Sequence, residues 1–269
     1  MEFVRQIGII LAKDSLLNLF LITLFLITTR IYIIFRVLPP FRGRIVPPPV
    51  LLSLSLVFSL LIIRRIEMPS AIPSQVFIFI LFIKELISGF VIGFIASLPF
   101  YFIQQSGYLM EFSSRGILTM QVTPSGDEES TVVANLFFFI CVLIFFAGGI
   151  FHSLLMGIDS SFDAISVYPL QFQFTGKFME KVFELSVEMT SKLMLASVLL
   201  AFPVLLLVLI VDIMMGLIGR FSPYFGGYFV SMPLRGGVGI LSVIVVLIVM
   251  PPLIEKMMAL AMKFLTLFP

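Results

Sequence analysis

The chain has 269 residues, of which 60% are hydrophobic and only 12% charged, and its 17 basic and 15 acidic residues leave a net charge of +2. A soluble domain of this length carries about a quarter charged residues, so the composition predicts an integral membrane protein, and the small net charge with no long basic patch argues against a nucleic-acid partner. A single cysteine, Cys141, excludes an intrachain disulfide, and a single histidine, His152, leaves no histidine cluster for a metal.

Apolar segments fall at about 15–37, 46–66, 74–104, 130–158, 190–218 and 237–267. Roughly 20 such residues span a bilayer as a helix, the form that bonds its backbone internally. The short alternating strands of an outer-membrane barrel are missing. The expected fold is all-α: a polytopic helical membrane protein with about six long apolar segments, some kinked or re-entrant, forming one domain over 1–269.

Glu2, Arg5, Lys13 and Asp14 precede the first segment and Arg30 and Arg36 close it. Without a small-residue cleavage site, the first helix is expected to be retained. Pro39-Pro40-Phe41 and Pro47-Pro48-Pro49 predict a rigid turn before the second segment. The third carries Lys84-Glu85, then Gly89 and Gly93 at the spacing that lets helix backbones approach closely, then Pro99. Gly107 to Thr131 is the longest polar stretch, and it ends in the acidic run Asp127-Glu128-Glu129.

The fourth segment contains Gly148-Gly149 and then His152, which reads as a packing residue or a pH-responsive one. Over 176–193, Phe178, Val182, Leu185, Met189 and Leu193 recur at helical spacing beside Glu180, Glu184, Glu188 and Lys192. That is an amphipathic helix with one wet face, either a helix leaving the bilayer or a docking face. Asp212 stands in the fifth segment, followed by Gly216 and Arg220, and 220–239 is rich in glycine and proline. Basic residues are spread over both sets of connections, so membrane orientation is not decided by charge.

Arg30, Lys84, Glu85 and Asp212 carry the functional argument. An ionisable group in hydrocarbon costs at least ~2.5 kcal/mol and persists by facing protein, a partner or a water path. Together with Arg220 they are expected to make polar contacts within the membrane or between subunits. Gly89, Gly93, Gly148, Gly149 and Gly216 are the candidate helix-packing positions. No phosphate-binding loop, nucleophile elbow or metal-ligand pair occurs, so a non-enzymatic protein without cofactor is expected. An alternative stays open: a proton- or ion-coupled secondary transporter using Lys84, Glu85 and Asp212, although the two related halves usual in such folds are not evident.

These residues, in this order, resemble the FliR/SctT family of type III secretion export-gate proteins. Arg30 with Pro39, Pro40 and Phe41 resembles the family's first-helix arginine and proline turn. Lys84-Glu85, Gly89, Gly93 and Gly107 resemble its third apolar segment. Phe146-Ala147-Gly148-Gly149 resembles its Phe-x-Gly-His element, with Gly149 in the histidine's place and His152 three residues on. Pro203, Asp212, Gly216, Arg220, Pro223, Phe229, Pro233 and Arg235 resemble its C-terminal signature.

The resemblance implies helical hairpins packed in a multi-subunit export gate, with FliP/SctR-type, FliQ/SctS-type and FlhB/SctU-type partners, unfolded export substrates and membrane lipid. It implies the bacterial inner membrane at the base of a flagellum or injectisome. The proline-rich first loop favours the flagellar branch slightly, while Met232-Pro233-Leu234-Arg235 is reminiscent of the injectisome branch. It also implies a channel plug over about 104–124, with Gln104, Gly107, Met110, Gly116, Met120 and Pro124 as its residues. In that setting methionines would supply a deformable seal.

Overall fold

The computed structural model describes residues 2–42, 46–66, 69, 73–115, 132–168, 176–221 and 228–266. Every regular element among them is a helix. The order is α1 (Glu2–Val37), a 3₁₀ turn (Pro39–Phe41), α2 (Pro48–Ile62) running into a second 3₁₀ turn (Ile63–Arg65), α3 (Gln75–Arg115), α4 (Val132–Ala147), α5 (Ile150–Ala164), α6 (Gly176–Phe221) and α7 (Tyr228–Thr266). Among the described residues, five helices are long and apolar enough to cross a membrane, and the bent pair α4 and α5 makes a sixth if counted as one span.

Local chemistry explains where helices begin and continue. Pro48 and Pro49 occupy the first positions of α2, where the missing proline N–H costs nothing and the fixed φ is already helical. The sequence places the end of the third segment near 104, yet α3 continues to Arg115. Its serines stay helical by returning their hydroxyls to the backbone: Ser106 Oγ donates to the Ile103 carbonyl at 2.6 Å and Ser114 Oγ to that of Met110 at 2.8 Å. Likewise α7 begins at Tyr228, inside the stretch that its glycines and prolines mark as a connection. Within an apolar layer the backbone must bond to itself, so Gly236, Gly237 and Pro233 stay in the helix.

The break between α4 and α5 falls at the glycine pair. Gly149 has φ 73°, a left-handed conformation that a Cβ penalises by about 1–2 kcal/mol. The apolar run 130–158, one segment by hydropathy, is therefore two helices. Beyond it, the amphipathic stretch 176–193 is the first part of the continuous α6, whose membrane-length apolar portion begins only at Ser186.

The chain divides into two compact units. The first comprises residues 1–97, 152–185 and 262–269, the second 98–151 and 186–261. In the first, α1 packs against α2, and Ile27, Ile31, Ile34 and Phe35 of α1 and Leu81 of α3 are fully buried. A hydroxyl seam crosses that contact, with Thr28 Oγ1 donating to Ser59 Oγ at 2.9 Å and Ser59 Oγ donating to the Ser55 carbonyl at 2.6 Å. In the second, Phe100, Phe137, Cys141 and Phe145 form the buried centre, with the Phe100 and Phe145 rings edge to face at 5.3 Å. Much apolar surface faces outward, including Leu199, Phe202 and Ile213 on α6 and Ile248 and Val249 on α7. Apolar area on that scale requires lipid or protein cover.

Candidate functional site

Arg30, Lys84 and Glu85 meet in the first unit. The side chains of Arg30 and Glu85 are both fully buried, and Arg30 Nε donates to Glu85 Oε2 at 2.5 Å while Nη2 donates to Oε1 at 3.0 Å. This paired geometry matches the planar guanidinium to the planar carboxylate. The Lys84 ammonium lies 3.3 Å from Glu85 Oε1. Two cations thus share one carboxylate, and the site's other partners must accommodate the excess positive charge.

Those partners are the carbonyls at the end of α5. Arg30 Nη1 donates to the Ser161 carbonyl at 3.0 Å and Nη2 to that of Ile165 at 2.8 Å. Lys84 Nζ donates to the carbonyls of Ser166 at 2.5 Å and Val167 at 2.7 Å. The Ser161 carbonyl also accepts from the Ile165 N–H at 2.9 Å, and the carbonyls at the end of a helix carry its negative dipole end. Arg30 and Lys84 therefore act together as a cationic cap, and α5 with the residues after it becomes the second counter-charge. The Arg30 guanidinium also lies 4.0 Å from the centre of the Phe162 ring.

Glycines let the helices come this close. A Cβ on Gly89 would lie 2.8 Å from the Arg30 carbonyl oxygen, and one on Gly93 would lie 3.0 Å from the Ile34 Cα. Glu85, Gly89 and Gly93 follow one another at four-residue spacing on one face of α3. One face thus carries the carboxylate that binds Arg30 and the notches that admit the α1 backbone.

A second arrangement of the same kind lies in the second unit. A Cβ on Gly107 would stand 2.7 Å from the Ala134 Cα. One turn further along α3, Glu111 Oε2 accepts from the Val133 N–H at 2.8 Å. Glu111 thereby caps the start of α4 from a different helix, matching a carboxylate to the positive end of the dipole. In the same unit Asp212 Oδ1 of α6 pairs with Arg235 Nε of α7 at 2.5 Å, both side chains partly exposed.

The remaining candidates stand as follows. Gln104, Gly107 and Met110 lie within α3, and Met110 is fully buried. Gly116, Met120 and Pro124 lie outside the described residues. Arg220 is exposed near the end of α6, and Gly216 has open space where a Cβ would be. A Cβ on Gly148 would meet only its own preceding turn, at the Ile144 carbonyl oxygen, and Gly149 serves the break described above. His152 is exposed near the start of α5.

Sequence reasoning missed the α5 carbonyls and the Glu111 cap, since a backbone acceptor has no residue-type signature. It also missed a fork in which Arg65 pairs with Asp159 and Asp163. The i, i+4 acidic pair on α5 and Arg64-Arg65 after α2 were the available signals. Thr23 Oγ1 of α1 and Tyr168 Oη, which lies beyond α5 and outside the spans, are 2.5 Å apart. Burial raises the Tyr168 phenol above its ordinary pKa, with the Thr23 contact pulling the other way.

Long apolar helices with broad outward apolar surface and a sealed ionic cluster define a polytopic helical membrane protein. Within that class, residues 21–261 match the family described as bacterial export proteins, family 1, and the chain belongs to it. It is 26% identical over 187 residues to Yop proteins translocation protein T of Yersinia pestis, covering 68% of this chain and 69% of that protein. It is 26% identical to surface presentation of antigens protein SpaR of Shigella flexneri, covering 81% of this chain and 82% of that one. Flagellar biosynthetic protein FliR of Bacillus subtilis is 22% identical to it, with 93% and 95% covered.

Proposed function

We propose that this chain is a structural and gating subunit of a type III protein-export channel, forming part of the conduit for unfolded substrates in the bacterial inner membrane. The observation that carries the reading is the family match over residues 21–261, shared with relatives named for translocation and for flagellar biosynthesis. FliP/SctR-type, FliQ/SctS-type and FlhB/SctU-type subunits are its partners in this reading. The outward apolar faces of α6 and α7 supply surface for such subunits or for lipid. The chain contributes conduit and gate rather than a chemical step.

The gate is assigned to about 104–124. Support comes from the position of that segment across the end of α3, which stops at Arg115, and from Met120, because apolar constrictions close by excluding water and unbranched side chains yield to a passing polypeptide. The transporter alternative gains nothing from the structure, since Glu85 is engaged with Arg30 and Lys84 with the carbonyls of Ser166 and Val167 just after α5.

Three measurements test the proposal. Deleting the chain from its host should abolish type III secretion, and the tagged chain should purify with FliP-like and FliQ-like subunits identified by mass spectrometry. Shortening the segment between Arg115 and Val132 in an assembled complex should raise ion leakage while secretion is partly kept. A chain that purifies alone, binds a small solute and leaves secretion intact when deleted would overturn the reading.

A further inference from the structure

The end of α3 and the start of α4 are the two roots of the connection 116–131, and both are held within the second unit. A Cβ on Gly107 would stand 2.7 Å from the Ala134 Cα and 3.0 Å from the Val133 carbonyl oxygen. One turn on, Glu111 Oε2 accepts from the Val133 N–H at 2.8 Å. In the following turn α7 meets the same helix, since a Cβ on Gly239 would stand 2.6 Å from the Ser114 Cβ. Met110, Glu111 and Ala134 are buried. The last turns of α3 are therefore packed against α4 and α7.

The bond to Val133 has an unusual source. Val133 is the second residue of α4, and its N–H is one of the donors that a helix start leaves without a partner in the helix. The usual acceptor is the side chain of the residue just before the helix. Here it is a carboxylate 22 residues back, on α3. For α4 alone the two sources are equivalent, because each satisfies the donor and places an oxygen at the positive end of the dipole. For the connection between the helices they differ. A local cap secures α4, whereas Glu111 also fixes α4 to α3.

That difference bears on a closure element. Held at both roots, a connection of this length reaches at most about 28 Å from its base, half its extended length. Release of the first turn of α4 would lengthen it by about four residues and add about 7 Å to that reach. A segment that closes an opening has to stop in one place, and a rigid base is what places a functional loop.

We propose that Glu111 is a positioning residue for the gate: by tying the first turn of α4 to α3, it holds the two roots of the connection 116–131 as one fixed base. This inference rests on the assignment of the gate to about 104–124.

The test uses the complete chain in its assembled complex, with ion leakage expressed per complex and counted by the co-purified subunits. Glu111→Ala should raise leakage about fivefold, the population ratio that one lost cap supplies. Glu111→Gln keeps a carbonyl acceptor and should retain most of the closure. Gly107→Ala moves α4 off α3 with the carboxylate in place, and should leak as well. Thr131 immediately precedes α4, so Thr131→Asp added to Glu111→Ala supplies a local cap without the tie to α3. In that double variant, hydrogen exchange of a peptide beginning at Val132 should return to the parent rate while leakage stays raised.

Leakage that falls to the parent level together with exchange would show that α4 needs only a cap, and would overturn the proposal. So would Glu111→Gln leaking as strongly as Glu111→Ala, because the hydrogen bond would then not be the tie. Parent leakage in Gly107→Ala, with exchange at Val132 accelerated, would show that parting the roots is harmless and would also overturn it. The chain shortened between Arg115 and Val132 separates this inference from the reading beneath it. If that chain leaks and Glu111→Ala does not, the inference fails and the gate assignment stands. If neither leaks, the gate assignment fails and the inference falls with it.

Discussion

The Glu85 carboxylate receives the Arg30 guanidinium through both of its oxygens, at 2.5 and 3.0 Å, across 55 residues of sequence and at complete burial. The pair alone would be neutral. Lys84 makes it a net cation, and the α5 carbonyls absorb the excess.

Removing one partner of this pair strands the other. Glu85→Gln should cost about 3–5 kcal/mol, because Arg30 then stays buried without its counter-ion. Combining it with Arg30→Met removes the stranded charge, so the double variant should be less destabilised than the sum of the two singles. Thermal unfolding of the purified protein in detergent measures this. Strictly additive losses would show that the two residues do not act as a pair.

Glycine substitutions should separate by environment. Gly89→Ala and Gly93→Ala push a methyl group into the α1 backbone at 2.8 and 3.0 Å and should each cost about 1–3 kcal/mol through overpacking. Gly216→Ala meets open space and should be neutral or stabilise its helix by up to about 1 kcal/mol. The same unfolding assay ranks all three. A loss at Gly216 as large as that at Gly89 in the fully assembled complex would place a subunit contact there.

Glu111→Ala removes the acceptor of the Val133 N–H and should destabilise the start of α4 by about 1 kcal/mol, as a lost cap does. Gly107→Ala should loosen the same place by a different route, displacing Ala134. Hydrogen exchange of a peptide beginning at Val132 should speed up in both variants, while a peptide from the middle of α4 stays protected. Unchanged exchange in Glu111→Ala would mean that the carboxylate does not hold that end.

The sequence alone determined the class. Long apolar runs with internal charges have one solution in a bilayer, because hydrocarbon leaves the backbone no partner but itself. Arg30, Lys84 and Glu85 were legible as costly for the same reason, and Gly89 and Gly93 were legible as places where another helix could approach. What covers a charge is a different question. Arg30 meets Glu85 from another helix and then the carbonyls of Ser161 and Ile165, 131 and 135 residues away. Every residue owns a carbonyl, so no residue type announces which one a distant cation will reach at a helix end.

The extent of α3 was hidden for a related reason. Ser106, Ser113 and Ser114 look like loop residues, yet they fold their hydroxyls back onto the helix that carries them. Conversely, the uniformly apolar run 130–158 concealed a break that only the backbone angle of Gly149 fixes. Hydropathy reports transfer from water and is blind to where a hydrogen bond ends. Composition and periodicity therefore decided that this chain lives in a membrane as helices, and only the packed structure decided which helix end each buried charge closes.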